Sequence, residues 1–393
     1  MTPPRLYLLD PDPGPAWEPF AGIRPICELR AGAHLIRERW ENFLGTEAAG
    51  IFALPHLAGF PEPGLPPVEA RRAVSGPAVI GSSTFAPRGL ASALPDTPAR
   101  LVHGGITVGW AVPAGTTWNG PVANAHAVEV QGVLLRGVHD LITALEQLLR
   151  EDAVKLLSGD SDAVPQGSIV VGDPAWVAVH EAMVEPGVVF DTRNGPVVLE
   201  SGVEVRSGTR LEGPLWVGSN TRVVGGPIRN SAIGPWSVVH GEMSTTALLG
   251  YANKSHYGFV GHSVLGRWVN LGAGTTTSDL KSTYGPVRLR IGDVDLETGH
   301  QFLGSLIGDH AKTAIGIMLD TGSVIGAGAS VFDCVRAPKY VPPFAWGGGG
   351  SASERMTQQK FLDVVERVLP RRDVQVTDAM RSYLTRAYEW LTT

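Results

Sequence analysis

The residues best suited to chemistry crowd into one stretch, NKSHYGFVGHSVLGRWVNLGAGTTTSDLK, Asn253 to Lys281. It holds the amides Asn253 and Asn270, the lysines Lys254 and Lys281, the carboxylate Asp279, and the run Gly272-Ala273-Gly274-Thr275. His256 and His262 lie inside it, with His240 before it and His310 after it. Near pH 7 a neutral imidazole can take the proton of an amine as that amine attacks a thioester. Backbone N–H groups at a glycine-rich corner can hold the oxyanion that develops there. A lysine can meet a phosphate or a coenzyme pyrophosphate. A base, an oxyanion donor and a cation are parts that acyl transfer to an amine would need. The histidines have no diagnostic metal-ligand spacing, and His240, His262 and His310 are expected to be structural.

A second set lies near the N-terminus. Asp10 and Asp12 follow the apolar run Arg5 to Leu9, so acidic groups stand at a strand end where a metal could be held. Arg24, Arg30 and Arg37 are guanidinium groups of the kind that grip phosphate, while Arg30 and Arg37 could equally solvate a helix.

The elements that must position these groups follow from periodicity. Leu199, Val205, Leu211, Val217 and Val223 recur every six residues. The register returns at Phe259, Leu265 and Leu271, and again at Ile307, Thr313, Leu319, Ile325 and Val331. A period of six with glycines between predicts a parallel β-helix rather than a helix or a half-buried strand. Stacked coils bury one continuous apolar row. About nine coils are expected between Ile169 and Phe332. In this phase Asn253 and the bulky Phe259 fall on the inward row, so Asn253 needs a hydrogen-bond partner there. Ser278 to Leu306 interrupts the hexads, as a loop or as irregular coils.

Before the prism, strands are expected at Arg5–Leu9, Ile51–Leu54, Ile106–Val112 and Ala127–Leu135. Helices are expected at Glu28–Phe43 and His139–Leu157, giving an α/β domain. Ser158 to Gly167 is the expected junction. After Val331 come three prolines and Gly347 to Gly350, then amphipathic helices at Met356–Leu369 and Asp378–Leu391 that cap the solenoid or lie along a neighbouring subunit.

Composition sets outer limits. The 393 residues suffice for two substantial domains, and 49 Gly with 30 Pro suit a turn-rich solenoid. A net charge of −6 without a basic tract argues against nucleic acid or an anionic membrane as principal partner. Cys27 and Cys334 form no CxxC pair, and no export signal or membrane span is apparent, so a cytoplasmic setting is expected.

The Asn253–Lys281 segment, with N-x-x-H followed by VNLGAGT, resembles the bifunctional N-acetylglucosamine-1-phosphate uridyltransferase/glucosamine-1-phosphate acetyltransferase family. LYLLDP and RPICELRAGAHLIRERWE, Arg24 to Glu41, are similar to a divergent sugar nucleotidyltransferase subfamily of it. The likeness runs to about Trp346. It implies an α/β N-terminal nucleotidyltransferase-like domain and a left-handed parallel β-helix of hexapeptide repeats that forms a homotrimer. It also implies acetyl-CoA and an amino sugar phosphate in grooves between prisms, with the catalytic base on His256. Asn253 would orient the base or the substrate. The motif containing Asn270, Gly272, Ala273, Gly274 and Thr275 would line the active-site wall and the acyl-donor groove.

Two departures stand out. The family's Asn-Tyr pair after GAGT is replaced by Asp279 and Leu280, which exchanges an amide for a charge and removes a phenol. The nucleotide-holding glycine loop after the first strand is replaced by Asp10 to Pro15, where three prolines offer no N–H.

The expected layout is a truncated nucleotidyltransferase-like domain over 1–160, a β-helix over 166–335, and a linker with C-terminal helices over 336–393. The expected function is acyl transfer from acetyl-CoA or another acyl-CoA to an amino sugar phosphate or nucleotide-linked amino sugar. His256 and Asn253 would be catalytic, and Gly272 to Thr275 with Lys281 would hold the donor. Arg24, Arg30, Asn270, Asp279 and Lys254 would bind substrate. One alternative is nucleotidyl transfer with Mg2+ and a nucleoside triphosphate at Asp10 and Asp12. A non-catalytic sugar-nucleotide-binding trimeric scaffold is the other.

Overall fold

Leu6, Tyr7 and Leu8 are buried, as a strand covered on both faces requires. In the computed structural model, which describes residues 4–12, 14–62, 64–91, 95–157, 161–348 and 354–393, this strand sits inside a seven-stranded sheet. Val68–Glu69, Ala48–Phe52, Arg5–Leu9 and Ala78–Ser82 run parallel in that order. Ile106–Val112 pairs antiparallel with Ala78–Ser82 and with Ala99–His103, and His126–Glu129 closes the edge. Tyr7, Phe52 and Trp118 stack on one face, and Trp40 packs near Phe85 on the other.

The expected helix at Glu28–Phe43 is shorter. Gly32, at φ +73°, turns the hairpin Arg30–Ala31/His34–Leu35, and α1 begins only at Ile36 and runs to Leu44. The second expected helix is two: α2 (Val138–Thr143) and α3 (Leu145–Leu156), which meet at Ala144. The single strand expected over Ala127–Leu135 is likewise two, His126–Glu129 and Gly132–Leu134.

The C-terminal part stacks its strands into three parallel walls, the arrangement expected of a left-handed β-helix. In one wall Leu199, Val217, Ile233, Leu248 and Leu265 lie in register, spaced 18, 16, 15 and 17 residues apart. The shortened turns drop one whole six-residue period in all, which is why the count re-registers at Leu265. Between those points the count misplaces side chains. Val260, not Phe259, is the buried wall residue. The column Val205, Val223, Val239 continues into Lys254, not Asn253.

The stack also runs past Val331, adding Tyr340–Val341 and Ala345–Gly347. Between Ser278 and the wall strand Leu306–Ile307 the chain makes a true excursion carrying the hairpin Arg288–Ile291/Val294–Glu297.

One wall is apolar outside as well as inside. Its outward residues Ala178, Val198, Trp216, Ala232 and Ala247 form a core with Leu145, Leu149 and Ala153 of α3. The N-terminal domain docks there, and a buried charge cluster pins it. Arg24 spans Asp309 at 2.9 and 2.7 Å and Glu62 at 2.8 Å, while Arg267 reaches Glu62 at 3.1 Å.

The C-terminal helices close the prism on the same chain. α4 (Gln358–Val368) sets Phe361 against Phe344, and α5 (Asp378–Thr392) reaches back so that Tyr383 donates to the Ile23 carbonyl. Among the described residues, no helix is long and apolar enough to cross a membrane.

Candidate functional site

At the end of the first strand the Asp10 carboxylate is already engaged. Oδ2 accepts from the Ile26 N–H at 2.8 Å, and Oδ1 accepts from the Ser83 hydroxyl at 2.5 Å and the Cys27 N–H at 3.4 Å. Burial pushes its pKa up to about 6 against the pull of those donors. Asp12 is exposed and shares none of these bonds. A carboxylate turned inward to cap the Ile26–Glu28 turn does not present the oxygens that Mg2+ takes. The expected Asp10–Asp12 metal pair is therefore not assembled.

Arg24 and Arg30 also face inward. Arg24 is 1 % exposed and locked to Asp309 and Glu62. Arg30 donates to the Ala33 carbonyl and lies 4.6 Å over the Trp216 ring. Both join the domain to the prism rather than face a phosphate.

The prism corner is different. His256 and Tyr257 are exposed at the turn after Asn253–Lys254, and among the described residues the His256 imidazole has no hydrogen-bond partner. One coil further along lies Gly272 to Thr275. The Gly272 N–H donates to Thr313, the Gly274 N–H to the Tyr257 carbonyl at 3.0 Å, and the Thr275 N–H to the Gly272 carbonyl. The Ala273 N–H is left over, also without a partner among the described residues. Gly272 is required sterically, since a Cβ there would come within 2.4 Å of the Ala314 backbone.

Lys254 holds this corner from inside. Its side chain, 2 % exposed, runs through the apolar interior, and its Nζ donates to the carbonyls of His240 at 2.6 Å and His256 at 3.0 Å. Burial lowers its pKa to about 8. It fixes the backbone that carries His256, a different task from the substrate contact expected of it.

Asn253 and Asn270 pair through the outward face of the same wall, Nδ2 to Oδ1 at 2.8 Å. They line a cavity of about 240 Å³ with Tyr251, Trp268, Lys312, Arg371 and Arg372. Among the described residues none of its lining side chains is acidic. Burial lowers the Lys312 pKa to about 8, and burial, Arg371 and Arg222 lower that of Arg372. Uncompensated positive charge beside aromatic faces is a site for an anion. Asn253 thus belongs to this cavity and bonds Asn270, not His256.

Asp279 Oδ2 accepts from His262 Nδ1 at 2.7 Å, and Lys281 donates to the Pro286 carbonyl. His262 lines a second cavity, of about 360 Å³, between the prism, α2 and the excursion. Sequence reasoning did not find Arg371, Arg372, Lys312 or Trp268, which reach the first cavity from distant segments. The one local signal was the basic pair Arg371-Arg372 directly after α4.

Residues 8–161 match the family model described as sugar nucleotidyl transferase. A bifunctional sugar-1-phosphate nucleotidylyltransferase/acetyltransferase of Sulfurisphaera tokodaii is 30% identical over 146 residues, 35% of this chain and 35% of that protein. A bifunctional protein GlmU of Methanococcus vannielii is 29% identical over 106 residues, 25% of each chain. This chain spans about a third or less of the length of these curated relatives. The resemblance drawn from the sequence stands on these likenesses, and the N-terminal domain is nucleotidyltransferase-like.

Proposed function

We propose that the protein is a transferase of sugar-nucleotide metabolism whose chemistry lies in the β-helix: acyl transfer from an acyl-CoA, most simply acetyl-CoA, to the amino group of a phosphorylated or nucleotide-linked sugar. The observation that carries this reading is the open His256 corner beside the unpaired Ala273 amide, next to an acid-free cationic cavity. Asn253 and Asn270 line that cavity, and His256 and Ala273 stand three residues on, at the corners that follow the two strands, no more than about 10 Å away along the chain. A nucleotide-linked sugar can bridge that span, with its phosphates near Arg371, Arg372 and Lys312.

The acyl-CoA supplies the thioester carbonyl, and the residues that would flank it are Gly274 and Lys281; Thr275, expected there too, is buried with its hydroxyl on that of Thr313. The C–N bond forms as the C–S bond breaks. His256 takes the amine proton and returns it to the departing thiolate. The Ala273 N–H faces the oxyanion. Exposed Tyr257, Ile315, Met318 and Val335 would be covered by neighbouring prisms in a homotrimer.

Incubating the protein with acetyl-CoA and a panel of amino sugars, their 1-phosphates and nucleotide-linked forms, with free thiol as readout, tests the reading. Arg371→Ala and Arg372→Ala should each raise KM for an anionic acceptor about tenfold with kcat held. Absence of acceptor-dependent thiol across the panel sinks acyl transfer.

The match of residues 8–161 favours a second reading, nucleotidyl transfer by the N-terminal domain. Pyrophosphate release from a nucleoside triphosphate plus a sugar-1-phosphate would establish it. The engaged Asp10 carboxylate counts against it.

A further inference from the structure

Two histidines and an aspartate meet where α2 touches the excursion. His300 Nε2 lies 3.3 Å from Asp140 Oδ1, and His139 Nε2 lies 3.7 Å from the same oxygen. One ligand atom from each of the three residues falls within 4.8 Å of the others. On a tetrahedral ion with bonds of about 2.0–2.1 Å, neighbouring ligand atoms stand about 3.3 Å apart, so closing this triad needs side-chain adjustment only.

The protein's own hydrogen bonds account for Asp140 and His300 but not for His139. His139 is 4 % exposed, and its Nδ1 is buried without a partner. Its Nε2, 3.7 Å from Asp140 Oδ1, is beyond hydrogen-bond reach too, so a ring placed this deep makes no hydrogen bond among the described residues, which costs free energy unless something else engages Nε2. Arg136 braces Asp140 through its backbone N–H at 2.8 Å and its guanidinium at 3.0 and 3.2 Å. Two of those bonds end on Oδ2, and Oδ1 accepts the third while facing both imidazoles, the way outer partners orient metal ligands. The Thr143 hydroxyl stands 3.0 Å from His300 Nε2, where a fourth ligand or its hydrogen-bond partner would sit.

We propose that His139, Asp140 and His300 bind a divalent transition-metal ion of the zinc class, held between the N-terminal domain and the excursion of the β-helix. Two imidazoles and one carboxylate suit zinc or cobalt better than magnesium or calcium. The site borders the cavity of about 360 Å³ that His300, Thr143, Asn230, Thr245 and His262 line. Three protein ligands beside a cavity is the pattern of a site with an open position, not of a closed structural one. The proposal does not depend on acyl transfer, since its ligands lie outside the His256 corner.

The full chain, stripped with a chelator and exchanged into Zn2+ or Co2+, gives the test. About one retained equivalent per chain after gel filtration is expected, with a cobalt ligand-field spectrum of low coordination number. His300→Ala, on the excursion, and Asp140→Asn should each weaken binding by about 100-fold or more, while His126→Ala on the far sheet edge leaves it unchanged. Should His139→Ala fail to fold, His300→Ala still decides, provided its metal-free melting temperature equals that of the parent. No retained metal in the parent, or equal retention in His300→Ala, overturns the proposal.

Discussion

Asp10 and His256 each follow a strand, one in the α/β domain and one in the prism, and they are opposites. Asp10 has both oxygens taken by its own chain, while His256 has no partner among the described residues. The first is spent on folding, and the second is left over for a ligand. Residual hydrogen-bonding capacity, more than residue type, separates the two regions. The largest expected effect tests that contrast directly. His256→Asn should lower kcat for acyl transfer by about 10²–10⁴-fold, the range for a general base. Asp10→Asn should leave that rate unchanged. A rate that follows Asp10 and ignores His256 would reverse the comparison and move the chemistry into the N-terminal domain.

The joint between the two regions is the next place to strain it. Arg24, Glu62, Arg267 and Asp309 share a buried network, and removing one member leaves a buried charge unpaired. Arg24→Met should therefore cost about 3–5 kcal/mol, read as a shift of the denaturation midpoint. Arg24→Met combined with Asp309→Leu should recover part of that loss, because the orphaned carboxylate goes too. A loss under about 1 kcal/mol would mean that the cluster behaves as a surface pair and that the apolar wall alone holds the domain.

The joint also marks where the sequence is legible. The six-residue row announces the β-helix because every coil repeats the same burial, as Leu199, Val205, Leu211 and Val217 show. The docking wall was equally visible in hindsight. Strands such as Val197-Val198-Leu199 and Leu215-Trp216-Val217 are apolar at every position, which a wall exposed on its outer side has no reason to be. Side-chain direction was not legible around Asn253. Coils of 15 to 17 residues slip the phase before a compensating total restores it, and a slip of one residue exchanges inside for outside. Arg24 read as a phosphate ligand because its partner Asp309 lies 285 residues away. The N-x-x-H and GAGT residues were legible as motifs, whereas the cavity beside them needs Arg371 and Arg372 from beyond the prism.

Buried ionisable groups extend the contrast to pH. Lys254 replaces an aliphatic residue in the prism interior, and burial lowers its pKa from 10.5 to about 8. A depressed folded pKa gives a contribution present above the unfolded value and lost as pH falls through the folded one. Stability should therefore rise between about pH 8 and pH 10.5, by about 3 kcal/mol from Lys254 at 1.36 kcal/mol per pKa unit. Lys312 adds a second, similar contribution. Lys254→Met should remove its share of the rise, and an unaltered slope in urea midpoints over this window would show that the Lys254 ammonium is not desolvated.

Asp10 gives the smallest effect and the opposite window. Its pKa is raised from 3.8 to about 6 by burial, so the folded state holds a proton that the unfolded chain has already released. A raised folded pKa means a contribution present below the unfolded value and lost as pH climbs through the folded one. Between about pH 4 and pH 6 this group should pull stability down as pH rises, after the rise that paired carboxylates such as Asp191, whose arginine neighbours hold its pKa near 2, have completed by about pH 4. Asp10→Asn keeps one acceptor oxygen, for the Ile26 amide or for Cys27 and Ser83 but not for both, and cannot ionise, so beyond a constant loss it should cancel that fall and leave the alkaline rise of Lys254 in place. If instead the variant lowers stability equally at pH 4 and pH 7, the carboxylate's bonds to Ser83 and the two amides outweigh its desolvation. Asp10 would then be ionised throughout that range, and the strand end would carry a negative charge after all.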